Sequence, residues 1–321
     1  MSQAPKLLDR RLLFFTGKGG VGKSTVAAAT AHLAASHGKR VLLVEVDAKG
    51  SVTELFEQPA VGFKPQEVYP GVLAMSMDTE ASLREYLKLN LKVPVFGRLG
   101  PLAHALDFVA NAAPGVKEIL TIGKICWEVR EIIDGRSDFD IVVVDAAATG
   151  HIVAQLGAAS TIRELVDVGP VRLQTEWMSE LLADPAVTAV NVVTTPEEMP
   201  VTETIELVAR VRAELDVPLG AVVVNRVLPE LFTRADEDVF EALREPEAMA
   251  VVAGSSGTGT GAVLEGARLA VSLRRSRAVY LQDLLDAVDL PILYVPYQFV
   301  RTHGLRVTSM VAEALGEELG L

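Results

Sequence analysis

The chain has 321 residues, half of them hydrophobic, and 42 acidic against 30 basic side chains give a formal charge of −12. That balance argues against broad nucleic-acid binding, which relies on Lys and Arg neutralising phosphates. One cysteine, Cys126, excludes an intrachain disulfide framework and a Cys-x-x-Cys zinc site.

In chain order, Met1–Arg10 shows no signal-peptide core and no later apolar run approaches membrane-span length, so a cytoplasmic protein without stable membrane insertion is expected. The apolar run Leu12–Phe15 predicts a buried strand, and the alanine-rich Lys23–Ser36 predicts a helix. Between them Gly17, Gly22, Lys23 and Ser24 meet the G-x-x-x-x-G-K-[ST] pattern of a phosphate-binding loop. Its glycines let the backbone N–H groups of Gly19–Thr25, through Gly20 and Val21, turn toward phosphate oxygens, and the helix N-terminus adds partial positive charge. Lys23 is placed to reach the β- and γ-phosphates and Ser24 to ligate Mg²⁺. Lys18 is the unusual residue. It points away from its own loop's anion and is free to reach a neighbouring subunit. The plain alternative is a glycine-rich turn with two solvated lysines.

Val41–Val46 predicts a strand delivering Asp47 to the sheet's carboxyl edge, where ligands of open α/β sheets bind. Asp47 either orients water or Mg²⁺ there, or caps the short helical segment Val52–Phe56. After a strand at Val72–Met77 comes a long, mainly helical stretch, about Thr79–Gly135, broken at Pro94, Gly97, Gly100, Pro101, Pro114 and Gly115. It reads as a helical subdomain inserted on the nucleotide side, or else as a pair of covering helices, with helices at Glu80–Leu89 and Val116–Ile133. Cys126 falls in the apolar run Ile122–Val129, as a buried inert thiol.

Ile141–Val144 predicts the next strand, ending in Asp145, which suits a Mg²⁺-water ligand beside a phosphate loop. The small residues Ala146–Gly150 permit close approach to the γ-phosphate, and rearrangement when it leaves. His151 either bonds within that segment or is packed or exposed without a chemical role. Helices at Ile162–Leu182, Thr202–Leu215, Ala262–Ala287 and Gly304–Leu319 alternate with strands at Val187–Val193, Gly220–Val224 and Ile292–Val295. Ser255–Gly261 reads as a surface loop, and Arg274-Arg275-Ser276-Arg277 as a solvated helix face. The pattern is that of an α/β fold with a doubly wound, mostly parallel sheet, one domain over residues 1–321 with the helical insertion at about 79–135.

The string Gly17–Thr25 resembles the signature-lysine variant of the phosphate loop, found in dimeric ATPases that include partition ATPases, nitrogenase iron proteins, arsenite-pump ATPases and tail-anchored-protein targeting ATPases. Asp145-Ala-Ala-Ala-Thr149-Gly150-His151 resembles the switch II segment Asp-Thr-Ala-Pro-Thr-Gly-His of the last two groups. Asp47-Ala-Lys-Gly-Ser-Val-Thr-Glu-Leu-Phe56 is similar to their switch I. Val222–Arg226 resembles the strand whose terminal Asn, here Asn225, reads adenine. Leu290–Phe299 resembles the last strand and base-packing loop, which brings in Pro296, Tyr297 and Phe299.

The resemblance implies Mg²⁺-dependent ATP hydrolysis by a nucleotide-sandwich dimer, a homodimer or a heterodimer with a paralogue. Lys18, Lys23 and Asp47 are its catalytic residues. Ser24 binds Mg²⁺, Asp145 supports it through water, and Asp145, Thr149, Gly150 and His151 form switch II. Asp47 positions the attacking water, and Lys18 of one subunit neutralises the other's phosphates. Departures stand beside these matches: Ala48, Lys49, Gly50 and Ser51 in switch I, and Ala148 where the family has Pro. With Cys126 alone, neither a zinc joint nor a metalloid site is expected. Thr79–Gly135 has no methionine, whereas targeting ATPases line a client groove there with Met. Two classes follow: an ATP-driven switch cradling an apolar segment of an unidentified protein client, or a regulatory ATPase controlling a protein partner without such a groove. A partition-type ATPase fits the acidic charge less well.

Overall fold

The computed structural model describes residues 7–47, 50–91, 115–130, 132–133, 136–165, 170–243, 245–256, 259–300 and 304–321. Its first half runs β1 (Leu12–Thr16), α1 (Lys23–Ser36), β2 (Val41–Glu45), α2 (Ser51–Phe56), β3 (Gln66–Tyr69), β4 (Val72–Ser76), α3 (Thr79–Leu91), α4 (Val116–Arg130), β5 (Ile132–Ile133), β6 (Arg136–Ser137) and β7 (Ile141–Asp145). The second half runs α5 (Thr149–Leu165), α6 (Pro170–Ala183), β8 (Thr188–Thr194), α7 (Glu198–Glu214), β9 (Leu219–Val227), α8 (Arg234–Ala242), α9 (Pro246–Ser256), α10 (Thr260–Ala287), β10 (Ile292–Pro296) and α11 (Leu305–Leu319).

Eight strands form one sheet in the order β10-β9-β8-β1-β7-β2-β4-β3. All its pairings are parallel except that of β3 with β4. Strands β1, β2, β7 and β8 are buried along their whole length, because parallel strands are covered on both faces. Side chains alternate across the sheet. Leu13 and Phe15 face a core shared with Ala27, Ala31, Val311 and Leu315 of α1 and α11. Leu12 and Phe14 face the other, with Ile122 and Ile125 of α4, Leu156 of α5 and Leu207 of α7. The alanines of α1 leave little side-chain bulk, so the helix lies close on the sheet and is itself covered by α11.

β1 is central, between β7 and β8, and strand order reverses around it. The carboxyl ends of β1, β2, β7, β8 and β9 therefore converge at one edge, the switch point where doubly wound sheets bind ligands.

Several expectations are corrected. The helix expected over Ile162–Leu182 is two helices, α5 and α6, with Pro170 opening the second as a residue suited to a first helical turn. The helix expected to run through Ile133 ends at Arg130, and the β-branched Ile132 and Ile133 pair instead with Arg136 and Ser137. β3 was not expected: Gln66 and Glu67 are exposed, and an edge strand has no second buried face to mark it. Helices α8 and α9 were also not expected. The segment Ser255–Gly261 is the end of α9 and the start of α10 around residues 257–258, which lie outside the described residues. The breakers Pro94, Gly97, Gly100, Pro101 and Pro114 lie outside them too. Of the long stretch between β4 and β7, α4 packs on β7, α5 and α6, and α3 packs on α4.

Candidate nucleotide site

Gly17 leaves β1 at φ 150°, and a Cβ there would collide with the carbonyl oxygen of Val193 on β8. Gly22 (φ 94°) precedes α1, and its Cβ would collide with the Asn225 amide at the end of β9. The two motif glycines are thus demanded by close approach of neighbouring strands as well as by backbone conformation. Asn225 is buried; its Nδ2 donates to the Val21 carbonyl at 2.8 Å, and its Oδ1 accepts from the Arg226 N–H at 2.9 Å. The expected base-reading residue here braces the loop. Lys23 Nζ donates to the Lys18 carbonyl at 3.3 Å.

Beneath the loop, parallel register sets Asp145 of β7 beside Phe15 of β1 and Glu45 of β2. Asp145 is buried, and the Ser24 hydroxyl near its carboxyl favours the ionised form. Burial pushes its pKa up to about 6; Ser24 and the Lys23 charge pull it down, while Glu45 and Asp47 push it further up. One cluster therefore holds the Ser24 hydroxyl, three carboxylates and an ammonium.

Glu45 was not anticipated, although a carboxylate inside the apolar run Val41–Val46 was a visible signal. It is buried, and accepts from the Ser51 N–H at 2.8 Å, so it anchors the start of α2. The residue at the N-cap of α2 is Gly50, at φ 74°. Asp47 is exposed just beyond β2 and does not occupy that cap. Of the altered switch I residues, Ala48 and Lys49 lie outside the described residues.

The segment after Asp145 is tied to the loop. Thr16 Oγ1 donates to the Ala147 carbonyl at 2.8 Å, and the Thr149 N–H donates to the Gly17 carbonyl at 3.4 Å. Gly150 and His151 lie exposed in the first turn of α5. Lys18 is not free: its Nζ is ion-paired with Glu203 of α7 in the same chain. Glu203 was also missed, since nothing in its spacing marks it; only the crossover from β8 into α7 brings it to the loop.

Pro296 ends β10, and Tyr297 and Phe299 follow it. The Tyr297 N–H donates to the Val227 carbonyl at 2.8 Å, and the Tyr297 and Phe299 rings meet with centroids 4.9 Å apart. Phe299 also lines a cavity of about 410 Å³ with Leu231, Phe232, Leu269 and Leu273. A second cavity, about 390 Å³, opens between α3, α4, α5 and α6 and is walled by Leu83, Ile119, Leu120, Trp127, Trp177 and Met178. At its edge Lys124 is paired with Glu85 at 2.8 Å and Glu128 at 2.6 Å.

The sequence pattern of one protein family, described as "Anion-transporting ATPase", matches residues 10–168 and 156–251. The chain belongs to the anion-transporting ATPase family. Its fold, an eight-stranded and mostly parallel sheet with a phosphate loop after β1, agrees with that membership. Within the family, "ATPase BagA" of Mycobacterium tuberculosis is 36% identical over 230 residues, covering 70% of this chain and 67% of the relative. The "Putative arsenical pump-driving ATPase" of Halobacterium salinarum is 30% identical over 319 residues, covering 92% of this chain and 43% of the relative. The "Arsenical pump-driving ATPase" of Acidiphilium multivorum is 30% identical over 344 residues, covering 96% of this chain and 55% of the relative. This chain thus spans about half the length of those two pump-driving relatives.

Among the described residues no helix is long and apolar enough to cross a membrane, and no group of three or more His, Cys, Asp or Glu is arranged to hold a metal ion. Magnesium at a phosphate loop needs no such group, because one hydroxyl, water and phosphate oxygens complete its octahedron. The Ser24 hydroxyl beside Asp145 suits that hard cation.

Proposed function

We propose that this chain is a cytoplasmic, Mg²⁺-dependent ATPase of one P-loop domain with a helical insertion at about 79–135. It acts as a nucleotide-sandwich dimer, of identical chains or with a paralogue, and couples hydrolysis to a protein client. The observation that carries the reading is the Ser24–Asp145 pair beneath a loop that also presents Lys23. Family membership supports the hydrolytic class.

The backbone of Gly19–Thr25 and the Lys23 ammonium bind the phosphates. Ser24 would hold Mg²⁺ directly and Asp145 through water; the ion, when bound, neutralises charge developing on the phosphoryl oxygens. The exposed Asp47 orients the attacking water. Thr149, Gly150 and His151 sense the γ-phosphate as switch II. Asn225, Pro296, Tyr297 and Phe299 frame the base. Lys18 of each chain neutralises the partner's phosphates, as an arginine finger does.

Phosphate release measured with ATP, with and without Mg²⁺, tests the core of the reading. Lys23→Ala should lower the rate by about 10²–10³-fold, as loss of one preorganised charge does. An Mg²⁺-independent rate, or one that Lys23→Ala leaves unchanged, would be incompatible with it. The client-carrier class is favoured over a groove-free regulator by the apolar cavity between α3, α4, α5 and α6, to which Met178 brings a flexible thioether that Thr79–Gly135 lacks. Its check is affinity capture with Asp47→Asn and ATP, repeated with Ile119→Glu in the cavity. Proteins retained by the first and lost by the second support it; recovery of the chain alone counts against it.

A further inference from the structure

Glu203 touches two of the residues given a role in hydrolysis. One carboxylate oxygen is ion-paired with Lys18 Nζ, and the other accepts a hydrogen bond from Thr149 Oγ1 at 3.1 Å. Three elements meet on this carboxylate: the loop after β1, the first residue of α5 and the early turns of α7. The side chains of Lys18 and Glu203 are 32% and 27% exposed, so the pair is partly shielded and still open to exchange. The bond from Lys18, aided by Thr149, holds the Glu203 carboxyl below the usual range against a small burial cost. The group is ionised wherever the enzyme works.

A surface ion pair of this kind ordinarily contributes little to stability. Its consequence here is competition. Lys18 cannot sit on a partner's phosphates while it is held by its own chain. Thr149 bonds the second carboxylate oxygen and so fixes the direction in which the Glu203 side chain presents the first. The switch II segment therefore sets the geometry of the Lys18 contact without touching Lys18.

We propose that Glu203 is a positioning residue that holds Lys18 within its own chain and couples its release to switch II through Thr149. The proposal rests on the dimer reading above and deepens it: assembly requires each chain to exchange a Glu203 contact for a phosphate of its partner. Glu203 then works against premature pairing of chains, and it makes pairing responsive to what switch II binds.

Two measurements test it. In the nucleotide-free protein, acetylation of Lys18 by a limiting amine reagent is followed by peptide mass spectrometry, with the other lysines as internal reference. Glu203→Gln should raise Lys18 labelling about two- to fivefold, the factor by which an exposed pair restrains its partners, and Thr149→Val should raise it by less. Self-association is then measured by sedimentation with Mg²⁺ and a non-hydrolysable ATP analogue. Glu203→Gln should tighten the dimer by about two- to fivefold per latch, and the gain should vanish in the Lys18→Ala background.

Unchanged Lys18 labelling in Glu203→Gln overturns the proposal, as does a tighter dimer that persists without Lys18. An unaltered melting curve for Glu203→Gln separates these outcomes from misfolding. Failure of the dimer reading looks different: the wild-type chain stays monomeric at every concentration with the analogue, and the proposal falls with it.

Discussion

Asp145 concentrates the conflict between stability and chemistry in this molecule. Burial raises its pKa to about 6, opposed by Ser24 and Lys23 and reinforced by Glu45 and Asp47. An unfolded Asp titrates near ~3.9, so the folded chain holds this proton more tightly than the unfolded one. The stabilising effect of the proton is complete below about pH 4 and is lost as pH rises through about 6. At pH 7.5 the ionised carboxylate therefore weighs against the nucleotide-free fold, by an amount on the order of 1–3 kcal/mol after allowing for local relaxation. Asp145→Asn should raise the melting temperature of the nucleotide-free protein at pH 7.5. That gain should shrink as pH falls through about 6 and vanish below about pH 3, where the wild-type carboxyl is protonated in both states. The same variant should lose Mg²⁺-dependent hydrolysis, because an amide cannot orient the water around the ion as a carboxylate does. Calorimetry across that range checks the sign: a variant less stable than wild type at pH 7.5 would mean that the Ser24 and Lys23 contacts outweigh burial. The cost is placed where it is useful, since a divalent cation beside Ser24 is the partner that would make an ionised Asp145 favourable.

Among the elements, α1 is held from two sides, by the sheet beneath it and by α11 across it. Leu315 of α11 is 1% exposed in the core that contains Leu33 and the α1 alanines. Leu315→Ala should cost about 2–4 kcal/mol, the transfer loss plus the residual cavity, and urea unfolding followed by circular dichroism measures it. Most elements legible in the sequence are buried on both faces or lie on a strongly apolar surface. β1, β2, β7 and β8 appear as continuous apolar runs, and α1 as an alanine-rich segment bounded by the loop and His37. Where burial is partial, the signal weakens. Helix α9 exposes Val251, which blurs the contrast between faces that marks an amphipathic helix, while α10 exposes Val263, Leu269 and Val279 and was still legible as Ala262–Ala287 through its length. β3 carries Gln66 and Glu67 at a sheet edge. The site divides in the same way. Gly17, Gly22, Lys23, Ser24 and Asp145 lie in a local pattern whose spacing follows from the strand–loop–helix turn. Glu203, 185 residues from Lys18, reaches it only through tertiary topology, and no local spacing encodes that meeting. Asp47 is intermediate. Its strand was readable, and the capping alternative is removed by Gly50 at the cap and Glu45 bonded to Ser51.

For the molecule as a whole, the deciding question is whether one chain contains a complete site. Lys23 and Lys18 occupy the same loop, yet the dimer reading assigns them to different sites: Lys23 to its own nucleotide and Lys18 to the partner's. This separates the reading from any in which both lysines serve one chain. Lys18→Ala and Lys23→Ala chains should each be nearly inactive alone. When they are mixed and allowed to exchange, a mixed dimer has one site that combines the Lys23 of the first variant with the Lys18 of the second. The other site of that dimer lacks both. With random pairing half the dimers are mixed, and each has one working site of two, so activity should recover to about a quarter of wild type in a two-fold symmetric assembly. Lysines acting in cis predict no recovery at any ratio, since every site then lacks one group. Phosphate release measured across mixing ratios distinguishes the two, with a maximum at equal amounts for action in trans and a flat line for action in cis. The latch at Glu203 adds a further mark to the same curve. Placing Glu203→Gln in the Lys23→Ala chain frees the one lysine that matters and should shift the recovery to lower total protein. The same change in the Lys18→Ala chain has no Lys18 to release and should leave the curve where it was.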